Sequence, residues 1–197
     1  MLQGVIFDMD GTLIDSRLDF EAMRIEMGLT PELRILEAIA LLPPDRAAEC
    51  MRILERHELE GARQATLLPG ARQVVETLRR WGVRTAIATR NSRLISNQML
   101  EALDLPFELV LTRDDGPIKP DPWPVLHACQ HWGIPPQNAV MIGDFHFDVD
   151  SGRAAGAHTV ILTHDVHPAD YPNVEQADLV IRSLAETDRL LAWLQTI

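Results

Sequence analysis

At 197 residues the chain is long enough to bury a full core, and that length suits one domain carrying an insertion better than two independent domains. A 46% hydrophobic and 24% charged composition excludes a disordered chain, and a net charge of -11 excludes the broad basic footprint that nucleic acid or an anionic membrane surface would require. No apolar run reaches membrane-spanning length and no basic leader precedes the first strand. Together with two isolated cysteines, Cys50 and Cys129, outside any metal-ligand spacing, this gives the expectation of a cytoplasmic protein with reduced thiols.

Residues 2–7 form a short, mostly apolar run with β-branched side chains, the pattern of a central strand covered on both faces. The run breaks into Asp8-Met9-Asp10-Gly11-Thr12, and a period of two sends Asp8 and Asp10 to the same side of the strand. Two like charges there are costly unless a cation or a proton offsets them. Alone, the stretch reads equally well as a strand end, an Asp10-Gly11 turn and a local Thr12 cap.

From Ser16 to about residue 67 the pattern is helical, the mark of a small helical insertion. Leu18, Ala22, Ile25 and Leu29 share one predicted face, widened by Phe20, Met23 and Met27. Thr30-Pro31-Glu32 reads as the opening of a second helix through Leu33, Leu36, Ile39 and Ala40, and Pro43-Pro44-Asp45 as the opening of a third. From residue 68 helices and strands alternate. Helices are expected over 71–81, 91–103, 121–132, 149–155 and 183–194, and strands over 83–89, 107–112, 139–143, 158–162 and 179–181. Such alternation implies right-handed crossovers and a parallel sheet covered on both faces, with its ligand site at the carboxyl ends of the strands.

The polar residues that close successive strands all fall on that edge: Asp8 with Asp10, Thr89 with Arg90 and Asn91, and Asp144. Lys119, the single lysine among 18 basic residues, lies in the loop beyond another strand end. Asp144 and Asp148 add two carboxylates across a loop and the first turn of a helix, whereas Asp150 reads as that helix's N-cap. Oxygen ligands without a nearby cysteine suit a hard, partly hydrated cation such as Mg²⁺. A divalent ion, one ammonium and the Thr89 hydroxyl describe a pocket for a doubly charged phosphoryl group, and a carboxylate can serve as nucleophile with a second as acid and base.

Asp8-Met9-Asp10-Gly11-Thr12, then Thr89, then Lys119-Pro120, then Gly143-Asp144 with Asp148 resemble, in order, the four motifs of the haloacid dehalogenase-like (HAD) hydrolase superfamily. The helical block sits where phosphoglycolate phosphatase-like members carry a cap. The resemblance implies an α/β fold, a three-layer Rossmann-like parallel sheet core over residues 1–15 and 68–197, with a small helical cap over 16–67 inserted after the first strand. It implies a Mg²⁺-dependent phosphomonoesterase acting on a small phosphorylated metabolite, phosphoglycolate-like, as a monomer or homodimer. Asp8 would be the nucleophile and a metal ligand, and Asp10 the acid and base with its carbonyl on the metal. Thr89 and the Arg90 amide would hold phosphoryl oxygens, Lys119 would bridge Asp8 and the phosphoryl group, Asp144 would bind the metal, and Asp148 would bind it or orient the site.

Phe145-His146-Phe147 is bulkier than the small polar residue common after Asp144's position in relatives, and Arg90 is an unusual neighbour for Thr89. The insertion has no lysine for a Schiff base, which removes phosphonatase chemistry. A phosphosugar mutase and a non-catalytic binding module on the same fold are the alternatives. Arg17, Arg24, Arg46, Arg52, Arg56 and Arg63, in or beside the insertion, are candidates to recognise a substrate carboxylate or second phosphate.

Overall fold

The computed structural model describes residues 1–164, 166 and 174–197. Its strands are β1 (Gly4–Phe7), β2 (Ile14–Asp15), β3 (Thr66–Leu67), β4 (Arg84–Ala88), β5 (Leu109–Leu111), β6 (Ala139–Gly143), β7 (His158–Leu162) and β8 (Leu179–Ile181). Its helices are α1 (Phe20–Met27), α2 (Ile35–Ala40), α3 (Pro44–Ala62), α4 (Ala71–Arg80), α5 (Arg93–Ala102), α6 (Trp123–Trp132), α7 (His146–Ala155) and α8 (Thr187–Leu194). By its internal contacts the chain divides into one unit of residues 1–15 with 66–197 and a second of residues 16–65.

In the first unit six strands form a parallel sheet in the order β5-β4-β1-β6-β7-β8, an α/β core of the Rossmann-like kind. The chain runs outward from β1 through β4 to β5, then crosses back to β6 on the other side. The order therefore reverses at β1, where the crevice at the carboxyl ends of the strands accepts a ligand. Every residue of β1 and β6 is buried, as expected of apolar runs between two helical layers. Ile6 points with Ala86, Ala88, Leu111 and Met141 towards α6 and α7, which supply Val125, Ala128, Cys129 and Ala155. On the sheet, α4 packs on β4 and against α8, and α5 packs on β5. Burial of a side chain such as Ile6 or Phe7 contributes about 1.5–3 kcal/mol, so β1 is a stiff base for the carboxylate that follows it.

Phe7 is in register with Ile87 on one side and Ile142 on the other, which brings the residues after β1, β4 and β6 to one edge. The antiparallel pair β2 and β3, with Ile14 opposite Leu67, closes the chain where residues 16–65 leave and return. Two-residue strands carry no periodic signal, and the sequence gives no hint of them.

The second unit holds α1, α2 and α3 around Met23, Met27, Ile35, Ile39, Cys50 and Leu54. Asp19 caps α1 by accepting from the Ala22 N–H at 2.9 Å, and Gly28, at φ 62°, ends it. The predicted α1 face is corrected here: Ile25 is 72% and Phe20 52% exposed, while Met23 and Met27 are buried. The unbranched methionines fit the irregular gap between helices, and the inward stripe is rotated accordingly. The second helix is also corrected, since it begins at Ile35 with Arg34 in an extended conformation. The Thr30 hydroxyl bonds the Glu32 side chain and, with a backbone bond, lowers that carboxyl's pKa. Ile35 and Ile39, one helical turn apart, are the buried pair of α2.

Four of the arginine candidates are engaged within this unit. Arg24 donates to the Leu33 carbonyl at 3.4 Å, Arg46 to the Met27 carbonyl at 2.7 Å, Arg52 to the Ala48 carbonyl at 3.3 Å, and Arg56 to the Glu26 carboxylate. Among the described residues no helix is long and apolar enough to cross a membrane.

Candidate active site

Asp8 is the first residue past β1, and its N–H donates to the Ile142 carbonyl at 2.8 Å, extending the contact with β6 by one residue. Its Oδ1 lies 2.6 Å from the Lys119 ammonium, which lies 2.6 Å from Asp148 Oδ1 as well. Lys119 is 2% exposed. Asp144 follows β6, and its Oδ1 accepts a long 3.4 Å bond from the Thr12 hydroxyl. Carboxylate oxygens of Asp8, Asp144 and Asp148 all lie within 4.8 Å of one another.

The Asp10 side chain takes a different partner, accepting from Asn91 Nδ2 at 2.6 Å through its Oδ2. Thr89 is buried at the end of β4, and its hydroxyl accepts from the Asn91 N–H at 3.2 Å. Asp148 occupies the first turn of α7, which begins at His146, and accepts from the Phe145 N–H at 3.0 Å. Asp150 is inside that helix rather than at its N-cap, which corrects its sequence reading.

Two glycines permit the carboxylates to converge. Gly11 has φ +75°, and a Cβ there would stand 2.2 Å from Asp144 Oδ2. A Cβ on Gly143 would stand 2.1 Å from Asp148 Cγ. Gly143→Ala is expected to push Asp148 off Lys119 and lower kcat/KM by about 100-fold, the usual scale of an ångström misplacement. Steady-state kinetics with a small phosphoester checks this.

The electrostatics of the cluster are those of an anionic hole. Burial, then the charges of Asp8 and Asp148, push the Asp144 carboxyl well above the usual carboxylate range. Burial and the charge of Asp8 raise Asp148 to about 6 despite Lys119. Burial pulls the Lys119 ammonium down, but the charges of Asp148 and Asp8 outweigh it and the net direction is upward. Three carboxylates face one ammonium, all donors are oxygen, and glycines clear the space between them: the residues fit a hard divalent cation.

Asp148 in the folded protein keeps its proton to about 6, against 3.8 for the free group, so metal-free stability from this residue falls as pH rises through that window. A divalent cation competes with the proton and releases it. The thermal midpoint gained on adding Mg²⁺ is therefore expected to be larger at pH 7.5 than at pH 5, and midpoints measured with and without Mg²⁺ at both values test it.

Arg90 uses its side chain as a brace. The guanidinium donates to the Lys119 carbonyl at 2.7 Å and lies over the Phe147 ring at 4.9 Å. Phe145, His146 and Phe147 pack on one another, with ring centroids 4.1–5.0 Å apart. The bulk in this loop thus supports the brace. Sequence reasoning noted Asn91 at the strand edge without its tie to Asp10, and missed His164 altogether. His164 Nε2 lies 3.8 Å from Asp144 Oδ2. An isolated histidine after a strand offers no spacing signal by which to find it.

Residues 2–156 match the family model for haloacid dehalogenase-like hydrolases, a span that contains every residue of the carboxylate cluster. The chain belongs to the haloacid dehalogenase-like hydrolases. It is an enzyme that hydrolyses phosphate esters, in the phosphoglycolate phosphatase-like branch. It is 31% identical to a phosphoglycolate phosphatase of Chromobacterium violaceum, covering 94% of each chain. It is 30% identical to the N-acetylmuramic acid 6-phosphate phosphatase of Pseudomonas putida, covering 91% of this chain and 92% of that one. The solved structure of a hydrolase from Pseudomonas syringae superposes with a TM-score of 0.80 at 24% identity, covering 98% of this chain and 99% of that one, and shares the fold.

Proposed function

We propose that this HAD-like hydrolase is a Mg²⁺-dependent phosphomonoesterase for a small phosphorylated acid, with Asp8 as nucleophile. The observation that supports it most is the separation of two nearby carboxylates. Asp8 is held by the buried Lys119, whereas Asp10 is held by Asn91, and different partners suit different roles. Both relatives named above act on phosphoesters whose leaving group carries a carboxylate, which supports the substrate class.

In this reading the Asp8 carboxylate attacks phosphorus, the bond to the leaving oxygen breaks, and Asp10 gives that oxygen its proton. An aspartyl-phosphate is left on Asp8. Asp10, now ionised, takes a proton from water as the water oxygen attacks phosphorus, which frees Asp8 and inorganic phosphate. The Thr89 hydroxyl, the Arg90 amide and the Lys119 ammonium hold the phosphoryl oxygens. Asn91 fixes the rotation of the Asp10 carboxyl through Oδ2. Asp8, the Asp10 carbonyl, Asp144 and Asp148 would hold Mg²⁺, which when bound neutralises charge developing on the phosphoryl group. Residues 16–67 are the cap domain in the same reading, and residues 1–15 and 68–197 are the core domain.

The test is inorganic phosphate release from 2-phosphoglycolate, N-acetylmuramate 6-phosphate, a hexitol phosphate and a phosphopeptide, with and without Mg²⁺. Selective, Mg²⁺-dependent release from a small acid phosphate is expected. Release from the phosphopeptide alone would overturn the substrate class. An aspartyl-phosphate that resists water but passes its phosphoryl group to a sugar phosphate would identify a phosphosugar mutase instead.

A further inference from the structure

We infer that His164 is a positioning residue that holds the Asp144 carboxylate in its metal-binding orientation from the outer side of the site. The inference rests on the Mg²⁺ reading above.

His164 follows β7 and has φ +51°, a left-handed conformation uncommon for a residue with a side chain. The bonds around it hold that conformation. The Thr163 N–H donates to the Ile181 carbonyl at 3.0 Å and the His164 N–H to the Arg182 carbonyl at 2.8 Å, continuing the pairing of β7 with β8. The Val166 N–H donates to the Thr163 carbonyl at 3.0 Å. A backbone conformation of this kind persists where its surroundings over-determine it, and it clusters at functional sites.

The imidazole stands beside Asp144, the residue that follows β6. Its Nε2 is buried, has no hydrogen-bond partner among the described residues, and faces Asp144 Oδ2 at 3.8 Å. The other oxygen, Oδ1, faces the Thr12 hydroxyl at 3.4 Å, and Gly11 leaves the space that Oδ2 occupies. Asp144 thus sits between a hydroxyl on one side and an imidazole on the other, with no side chain from Gly11 between. At 3.8 Å the contact is longer than a hydrogen bond, and an imidazole N–H turned to a ligating carboxylate from outside the ion is the kind of partner whose loss commonly costs 10- to 100-fold in metal affinity.

The experiment is calorimetric titration of Mg²⁺ into wild type, Asp144→Asn, His164→Gly and His164→Gln, with thermal midpoints of the metal-free proteins. Glycine accepts the left-handed conformation, so His164→Gly is expected to keep or raise the metal-free midpoint while weakening Mg²⁺ binding about 10-fold. Glutamine keeps an N–H at similar reach and is expected to recover part of that affinity. His164→Gly binding Mg²⁺ within twofold of wild type, or His164→Gln binding as weakly as His164→Gly, overturns the inference. Wild type and Asp144→Asn binding Mg²⁺ equally overturns the metal reading itself, and the two failures are therefore distinct.

Discussion

Asp8→Asn is expected to abolish phosphate release, with kcat/KM lower by more than about 10⁴-fold, and to leave the metal-free protein at least as heat-stable as wild type. Removing a nucleophile removes the covalent route, which costs more than the roughly 10²- to 10⁴-fold attributable to an acid and base group. Asp10→Asn therefore falls in that lower range, and the two variants rank the two carboxylates. The stability half of the expectation follows from the cluster. Asp8's charge is one of the causes that raise the Asp144 and Asp148 carboxyls, and an amide relieves that repulsion while Asp148 still holds Lys119. Phosphate release and thermal melting on the same sample separate lost chemistry from lost fold. Residual turnover by Asp8→Asn within about 100-fold of wild type would remove Asp8 from the nucleophile's role.

Lys119→Met is expected to have the largest combined effect. The methionine keeps most of the volume but leaves Asp8 and the 2%-exposed Asp148 side chain without the ammonium that lies 2.6 Å from both. Breaking a buried ion pair by removing one partner costs about 3–5 kcal/mol, because the remaining charge stays desolvated. The direction with pH is defined. Without Lys119 the Asp148 carboxyl loses the charge that lowers its pKa and holds its proton more tightly, so the metal-free deficit is present at pH 8 and shrinks as pH falls to 5. Added Mg²⁺ supplies positive charge to the same group and is expected to recover stability without recovering turnover, since Lys119 would also hold the phosphoryl oxygens. Chemical denaturation at pH 5 and 8, with and without Mg²⁺, reads all of this. A deficit that does not change between those pH values would show that Lys119 contributes packing rather than charge.

Much of the core was legible because its strands are apolar runs bounded by polar residues. β6 and β7 occupy the residues expected of them, and β8 does too. The alternation of strands and helices was enough to imply a parallel sheet, and the strand-end rule was enough to collect Asp8, Thr89 and Asp144 on one edge. Where local reasoning failed, a neighbour decided. Thr30-Pro31-Glu32 has the residue types of a helix start, yet Thr30 spends its hydroxyl on Glu32 and α2 starts at Ile35. The first face assigned to α1 has the right period but the wrong rotation, because the sequence pattern cannot say where α2 and α3 lie.

The residue types alone set the chemistry at hand: four carboxylates at two strand ends, one lysine in the whole chain, and glycines beside both acidic motifs. Which groups face one another came from the folded chain. Asp8, Asp144 and Asp148 converge, Lys119 bridges Asp8 and Asp148, Asp10 turns to Asn91, Arg90 reaches the Lys119 carbonyl, and His164 stands 3.8 Å from Asp144. Periodicity and capping act over a few residues, whereas a parallel sheet sets side by side the ends of strands that lie far apart in the chain. Residue types therefore come from sequence, and distances from the fold.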